Sequence, residues 1–292
     1  MTGDDTGIAT FPSSPAVEMS VSVFLRRSDP VSAIKTNMKR SSITTQVLLA
    51  CTSLVALPAL ADFSDNFQSG DNAWTHYSPL TPFGSPATYS FPNLGYQISV
   101  PQSLAPTQLG DGRGGSFVTG QSYSDFSLSF DVFGGGGSPQ FTGAFTRVTT
   151  PGLGTLNGYA VGFDYATDQL VINKVVNEAS AGSIGATAVS PVVALNTADG
   201  YTITYTALGA FQQATLTDKT TGNVVTTVYG TDGSYTGGQI GLGVVLESTT
   251  PGLTASATFG NFSVTSVPEP STWALAVIGL GAVAWSSRPQ RR

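Results

Sequence analysis

Charge is scarce in this sequence: Asp, Glu, Lys and Arg make up 10% of its 292 residues. It has one cysteine, Cys51, and one histidine, His76. A single cysteine excludes an intrachain disulfide framework and a Cys-based zinc site, and a single histidine excludes a multi-histidine metal site. Bases are scarcest in the middle. Between Asp62 and Pro270 only Arg113, Arg147, Lys174 and Lys219 stand against eleven Asp and three Glu, a formal charge of −10. Such a stretch cannot neutralise phosphates, so no nucleic-acid partner is expected. The 34 glycines and 17 prolines have no period, which excludes collagen. Hydrophobic residues make up 40%, enough for a core and too many for a disordered chain.

The two ends read as addresses. Lys39 and Arg40 follow Met38; then come a polar stretch, an apolar run over 47–57, and Ala59-Leu60-Ala61 before Asp62. Base, apolar run and small-residue exit come in the order of a secretory signal, which predicts a signal helix over 38–61 cut between Ala61 and Asp62. Signal peptidase is the implied processing partner. Residues 1–37 match no part of that pattern. They read as an over-extended frame with Met38 as the true start, or as the front of a long signal. Leu48-Leu49-Ala50-Cys51 has the form of a lipidation box, but the apolar run continues past Cys51 to Leu60.

At the other end, Pro268-Glu269-Pro270 stiffens the chain, because each proline fixes its own φ and restricts the residue before it. Trp273 to Trp285 is wholly apolar or glycine, and Arg288, Arg291 and Arg292 follow. A helix over about 272–287 spans about 24 Å at 1.5 Å per residue, near the minimum for a bilayer core. Terminal arginines hold that end in the cytoplasm and leave the preceding domain outside. This tail, residues 266–292, resembles the PEP-CTERM sorting tail: a Pro-Glu-Pro motif, a short transmembrane helix and a basic terminus. The resemblance implies a substrate of exosortase, a membrane protease, in a Gram-negative producer of exopolysaccharide. The inner membrane is then a transient partner, and the destination is the cell surface or extracellular matrix. Pro268, Glu269 and Pro270 are recognition residues for that other enzyme.

Residues 62–265 show no long helical period. Short alternations of apolar and polar residues recur instead, bounded by Gly, Pro, Asn, Asp and Ser, which is the strand signal. Phe126–Phe133 alternates cleanly before Gly134–Gly137. Tyr159–Tyr165 and Gln169–Val176 read as a hairpin. Further strands are expected over Ala87–Phe91, Tyr96–Val100, Gly115–Thr119, Phe141–Val148, Tyr201–Ala207, Gln213–Asp218, Val224–Tyr229, Gly238–Leu246 and Ala255–Val264. Roughly a dozen strands at this spacing predict an all-β, two-sheet antiparallel sandwich.

The order of pieces, from DFSDNFQSGDNAW through YSDFSLSFDVF and GYAVGFDYATDQLVINKV to ASATFGNFSV, resembles the concanavalin A-like, laminin-G-like jelly roll. That resemblance implies that the first and last strands pair, with Phe63, Phe67 and Trp74 in the core near Phe259 and Phe262. It also implies a structural calcium near the opening acids. Asp62, Asp65 and Asp71 are the candidate ligands, since calcium takes carboxylate and carbonyl oxygens. A solvated acidic loop is the alternative.

Glycoside hydrolases use this fold with two carboxylates flanking the scissile bond. No acidic triplet at i, i+2, i+4 stands on one strand. Glu178 and Glu247 stand alone, and a turn through Ala166-Thr167 separates Asp164 from Asp168. No Gly-x-Ser-x-Gly elbow accompanies His76, and no phosphate loop follows Gly134–Gly137. The expectation is therefore a non-catalytic protein that associates with exopolysaccharide. A glycan-active hydrolase and a purely structural or adhesive module are the alternatives. Trp74, Tyr77, Tyr89, Tyr123 and Tyr235 are the aromatic candidates for sugar contact.

Overall fold

Alternating burial decides the architecture. The computed structural model describes residues 62–92, 95–104, 111–134, 138–188, 200–248, 250–267 and 279–280. The described fold is built from strands β1 (Phe63–Asp65), β2 (Trp74–Tyr77), β3 (Thr88–Ser90), β4 (Tyr96–Pro101), β5 (Gly112–Val118), β6 (Phe126–Phe133), β7 (Gln140–Thr149) and β8 (Asn157–Asp164). They continue as β9 (Gln169–Val176), β10 (Ala179–Ala188), β11 (Tyr201–Leu208), β12 (Phe211–Asp218), β13 (Val224–Thr231), β14 (Gln239–Leu246) and β15 (Thr254–Ser266). One sheet runs β13-β12-β11-β6-β15-β4-β3, with β1 on β15; the other runs β10-β9-β8-β7-β14-β5-β2. Every pairing is antiparallel. The fold is a jelly-roll sandwich, as the sequence predicts.

The inner faces meet in one core. On β4, Tyr96, Ile98 and Val100 point inward; on β14, Ile240, Leu242, Val244 and Leu246 do the same. Successive strand residues point to opposite faces, so one register fixes both surfaces of a strand. The first and last strands pair, Phe63 opposite Val264 and Asp65 opposite Phe262. Trp74 packs edge-on to Phe262 at 4.8 Å, and Phe63 lies 5.7 Å from Trp74. Phe67 and Phe259 are buried in the same core. The hairpin over 159–176 forms as β8 and β9.

The alternation of apolar and polar residues misses three strands, of which the first is expected from the jelly-roll resemblance alone. β1 and β2 are short, and β10 is built of small residues, ASAGSIGATA, that carry no apolar alternation. The expected signal helix with Ala59 and Ala61, residues 1–37, the sorting motif Pro268, Glu269 and Pro270, and most of the expected tail helix lie outside the described residues. Among the described residues no helix is long and apolar enough to cross a membrane.

Candidate functional site

The outer face of the seven-stranded sheet is not polar. Residues that point away from the core on β5, β7, β8, β9 and β14 include Phe117, Phe141, Phe145, Ala160, Val171 and Val245, and they form a second apolar cluster. Four glycines stand in register across it: Gly115 opposite Gly243, Gly243 opposite Gly143, and Gly143 opposite Gly162. A Cβ on Gly243 would lie 2.2 Å from the Phe145 ring, and one on Gly143 would lie 2.1 Å from the Val161 carbonyl oxygen. The bare backbone thus lets Phe145 lie flat over the neighbouring strand, a use of strand glycine for close approach. Aromatic rings continue along the face, Phe141 to Phe145 at 6.3 Å, Phe145 to Phe117 at 6.3 Å and Phe117 to Tyr77 at 5.6 Å.

This floor lies beneath a cavity of about 350 Å³ lined also by Tyr77, Asp111, Arg113, Asn173, Glu178 and Glu247. Arg113 on β5 faces Glu178 in the β9–β10 turn. Its Nε donates to Oε1 at 3.1 Å, one terminal nitrogen donates to Oε2 at 2.7 Å, and the other donates to the Asp111 carbonyl. The Tyr77 hydroxyl and the Gly154 N–H also donate to Glu178. Burial opposes the Arg113 charge, but Glu178's hydrogen bonds and charge outweigh it and hold the guanidinium pKa above its ordinary value. Burial, and then Glu178, push the Tyr77 hydroxyl far up, so it stays a donor. All Glu178 oxygen sites therefore face protein donors.

Glu247 differs. It follows β14 at the cavity rim, beside Asp164 at the end of β8 and Asp111 before β5. Although the residue as a whole is exposed, partial desolvation of its carboxyl on the cavity side, and then the charges of Asp164 and Asp111, push it up to about 7. The folded protein then holds a proton that the unfolded chain releases above about 4.5. This contribution to stability is fully present below pH 4.5, declines as pH rises toward 7, and is level above. Glu247→Gln is expected to remove that decline, so the Tm difference between variant and parent should widen in the variant's favour from pH 5 to pH 8. A constant difference would contradict it.

The sequence-derived candidates separate. Asp65 Oδ2 accepts from the Trp74 indole N–H at 2.8 Å, and Oδ1 accepts from the Phe67 N–H at 2.7 Å. Asp71 pairs with His76, which stacks on Tyr89 at 3.7 Å. Asp62 is exposed. Among the described residues no group of three or more His, Cys, Asp or Glu is placed to hold a metal. Asp65 is used as the partner that a buried indole requires, and the three carboxylates do not fit a calcium site. Of the aromatic candidates, Tyr77 lines the cavity, Trp74 and Tyr123 are buried in the core, and Tyr235 packs on Tyr159. Asp164 caps the turn before Asp168, its Oδ1 accepting from the Ala166 N–H at 2.8 Å.

Residues 266–292 match the PEP-CTERM protein-sorting motif. The motif implies an exported protein, membrane-anchored before exosortase processes it. No curated relative matches the chain. Among solved structures, the chain is similar to carbohydrate binding module CBM66 from Bacillus subtilis, at 20% identity and a TM-score of 0.47 over 66% of this chain and 96% of that one. It is also similar to the Bacillus licheniformis β-glucanase, at 14% identity and 0.47, covering 71% and 98%. The lectin-like arcelin-5 of Phaseolus vulgaris follows at 12% and 0.44, covering 71% and 99%.

The sequence reading missed the cavity itself. Arg113 and Glu178 are 65 positions apart, and Tyr77 and Glu178 are 101 apart. The available signal was the repeated glycine within apolar strands: GRGGSFV, QFTGAF, NGYAVGFD and QIGLGVV each place one glycine in the row.

Proposed function

We propose that this is a non-catalytic glycan-binding module, carried to the cell surface by its sorting tail, which holds uncharged sugars of the extracellular polysaccharide in the cavity on the outer face of the seven-stranded sheet. One observation carries the reading: an aromatic and apolar floor, rimmed by amide and carboxyl groups, in a cavity whose strongest charges already face each other. Sugars present apolar ring faces and rims of hydroxyls, and pockets of this composition suit them. Arg113 is committed to Glu178, so no free cation awaits an anionic sugar. Glu247 and Asp111 leave the rim acidic, which disfavours uronates.

Titration of the producing organism's exopolysaccharide into the purified protein should give saturable binding, competed by its own neutral oligosaccharides and little changed by salt. Asn173→Ala should weaken it by up to about tenfold, the loss of one hydrogen bond of about 0.5–1.5 kcal/mol, with the fold intact. No binding by the folded protein would leave a structural or adhesive module as the better reading. A second reading rests on Glu247, the one cavity carboxyl whose pKa of about 7 suits proton transfer. Release of new reducing ends, abolished by Glu247→Gln, would make the protein a hydrolase.

A further inference from the structure

Glu178 occupies an unusual turn. Asn177 and Glu178 both take positive φ, 51° and 67°, between β9 and β10. Two-residue turns of this kind favour Asn-Gly, and a glutamate at the second position is a strain kept only where other contacts over-determine it. Those contacts reach far. In the sheet order, β9 and β5 are four strand steps apart, about 19 Å along a flat sheet at about 4.8 Å per step. Yet Glu178 meets Arg113 of β5 at 2.7 Å and also the hydroxyl of Tyr77 on β2. The Glu178 N–H donates to the Leu156 carbonyl, and the Gly154 N–H donates to the Glu178 carboxylate, so the loop between β7 and β8 joins the same knot. The turn and this loop therefore arch over the face of β8, β7 and β14. The clasp is closed to water: the Glu178 side chain is 4% exposed and that of Arg113 is 9% exposed.

We propose that this arch is a strap that walls off one end of the cavity on the outer face of the seven-stranded sheet, so that the cavity takes the terminal sugars of a glycan chain and not an internal run of it. The inference rests on the glycan-binding reading. An unobstructed sheet face would let a polymer lie across all its strands. Here Glu178, Arg113 and Tyr77 stand in that path and are specificity-determining residues. The cavity volume agrees, since about 350 Å³ is at the small end of the range of ligand pockets, about 300–1,000 Å³.

The test is stoichiometric. The organism's exopolysaccharide, partially hydrolysed by acid and sorted by length, is titrated calorimetrically into the purified protein. Terminal binding gives a constant number of sites per chain and a constant Kd as chains lengthen, so sites per unit mass fall inversely with length. Sites per chain that rise with length would overturn the strap while leaving the glycan-binding reading intact. Absence of binding to every fraction would overturn both. Glu178→Gly relieves the turn and opens the clasp, and the double variant Arg113→Met with Glu178→Gly also removes the guanidinium left unpaired. A folded variant of either kind should gain sites in proportion to chain length; folded variants that still count only ends would overturn the strap. If neither variant folds, the parent's stoichiometry decides alone.

Discussion

Replacing Arg147 with alanine is expected to lower the stability of the fold by about 3–5 kcal/mol, the range for breaking a buried ion pair from one side. Arg147 is wholly buried, at 0% exposure. It sits where β7 bulges against β8 between Thr146 and Thr149, with φ at 49°. Its Nε donates to the Ser124 carbonyl at 2.9 Å. One terminal nitrogen donates to the carbonyls of Gly209 at 2.6 Å and Tyr235 at 3.2 Å, and the other donates to Asp125 Oδ1 at 3.3 Å. That same Asp125 oxygen accepts the Gly209 N–H at 2.8 Å. One guanidinium thus ties three connections: the approach to β6, the β11–β12 turn and the segment before β14. Alanine would leave their carbonyls without this donor and Asp125 without its cation. Lysine should recover little, because a single ammonium cannot reproduce a planar fork aimed in three directions. Arg147→Met combined with Asp125→Asn should recover part of the loss, since no uncompensated charge remains. Urea denaturation read by circular dichroism measures all four proteins; a loss below about 1 kcal/mol for Arg147→Ala would refute the assignment.

The second large effect is expected at Gly143. A methyl group there meets the Val161 carbonyl oxygen at 2.1 Å and the Gly162 Cα at 2.6 Å, both backbone atoms that cannot swing aside. Gly143→Ala must push β7 away from β8 in the middle of the seven-stranded sheet, a cost of about 1–3 kcal/mol or more. Gly233→Ala is the control: its new methyl would meet nothing closer than the Ala210 Cβ at 3.4 Å, so its effect should stay within about 0.5 kcal/mol. Equal effects at the two positions would show that the glycine row is no packing device. Gly243→Ala separates stability from binding. The three atoms nearest to its methyl all belong to the Phe145 ring, the closest at 2.2 Å, so the substitution should displace that ring from the cavity floor. Sugar affinity should then fall more steeply than Tm.

How much of this was legible depends on how local the signal is. The burial pattern of FSLSFDVF alternates along much of β6, so the strand follows from its own residues. The sorting tail is a linear motif and is legible for the same reason. β10 is not, because a strand of Ala, Gly and Ser depends on its neighbour β9 for identity. Arg147 is one base in a strand, and most of its partners are backbone carbonyls, which leave no mark in sequence. Glu178 and Glu247 each look solitary along the chain, and only the winding of the sheet brings both to one cavity. The jelly-roll resemblance carried the pairing of the first and last strands correctly, yet it also carried a calcium expectation that the Asp65 hydrogen bonds do not fit.

The pairing of β1 with β15 has a mechanical side. The sandwich begins at Phe63 opposite Val264, and Val267, the last described residue before Pro268, donates its N–H to the Asp125 carbonyl at 2.8 Å. Whatever pulls on the tail therefore pulls directly on β15, which lies inside its sheet, with β6 on one side and β4 and β1 on the other. Tension along that strand loads its hydrogen bonds together, in shear, and does not peel them one at a time as it would an edge strand. If the domain holds a polymer as proposed, drag on it would reach the tail through a strand that is paired on both sides.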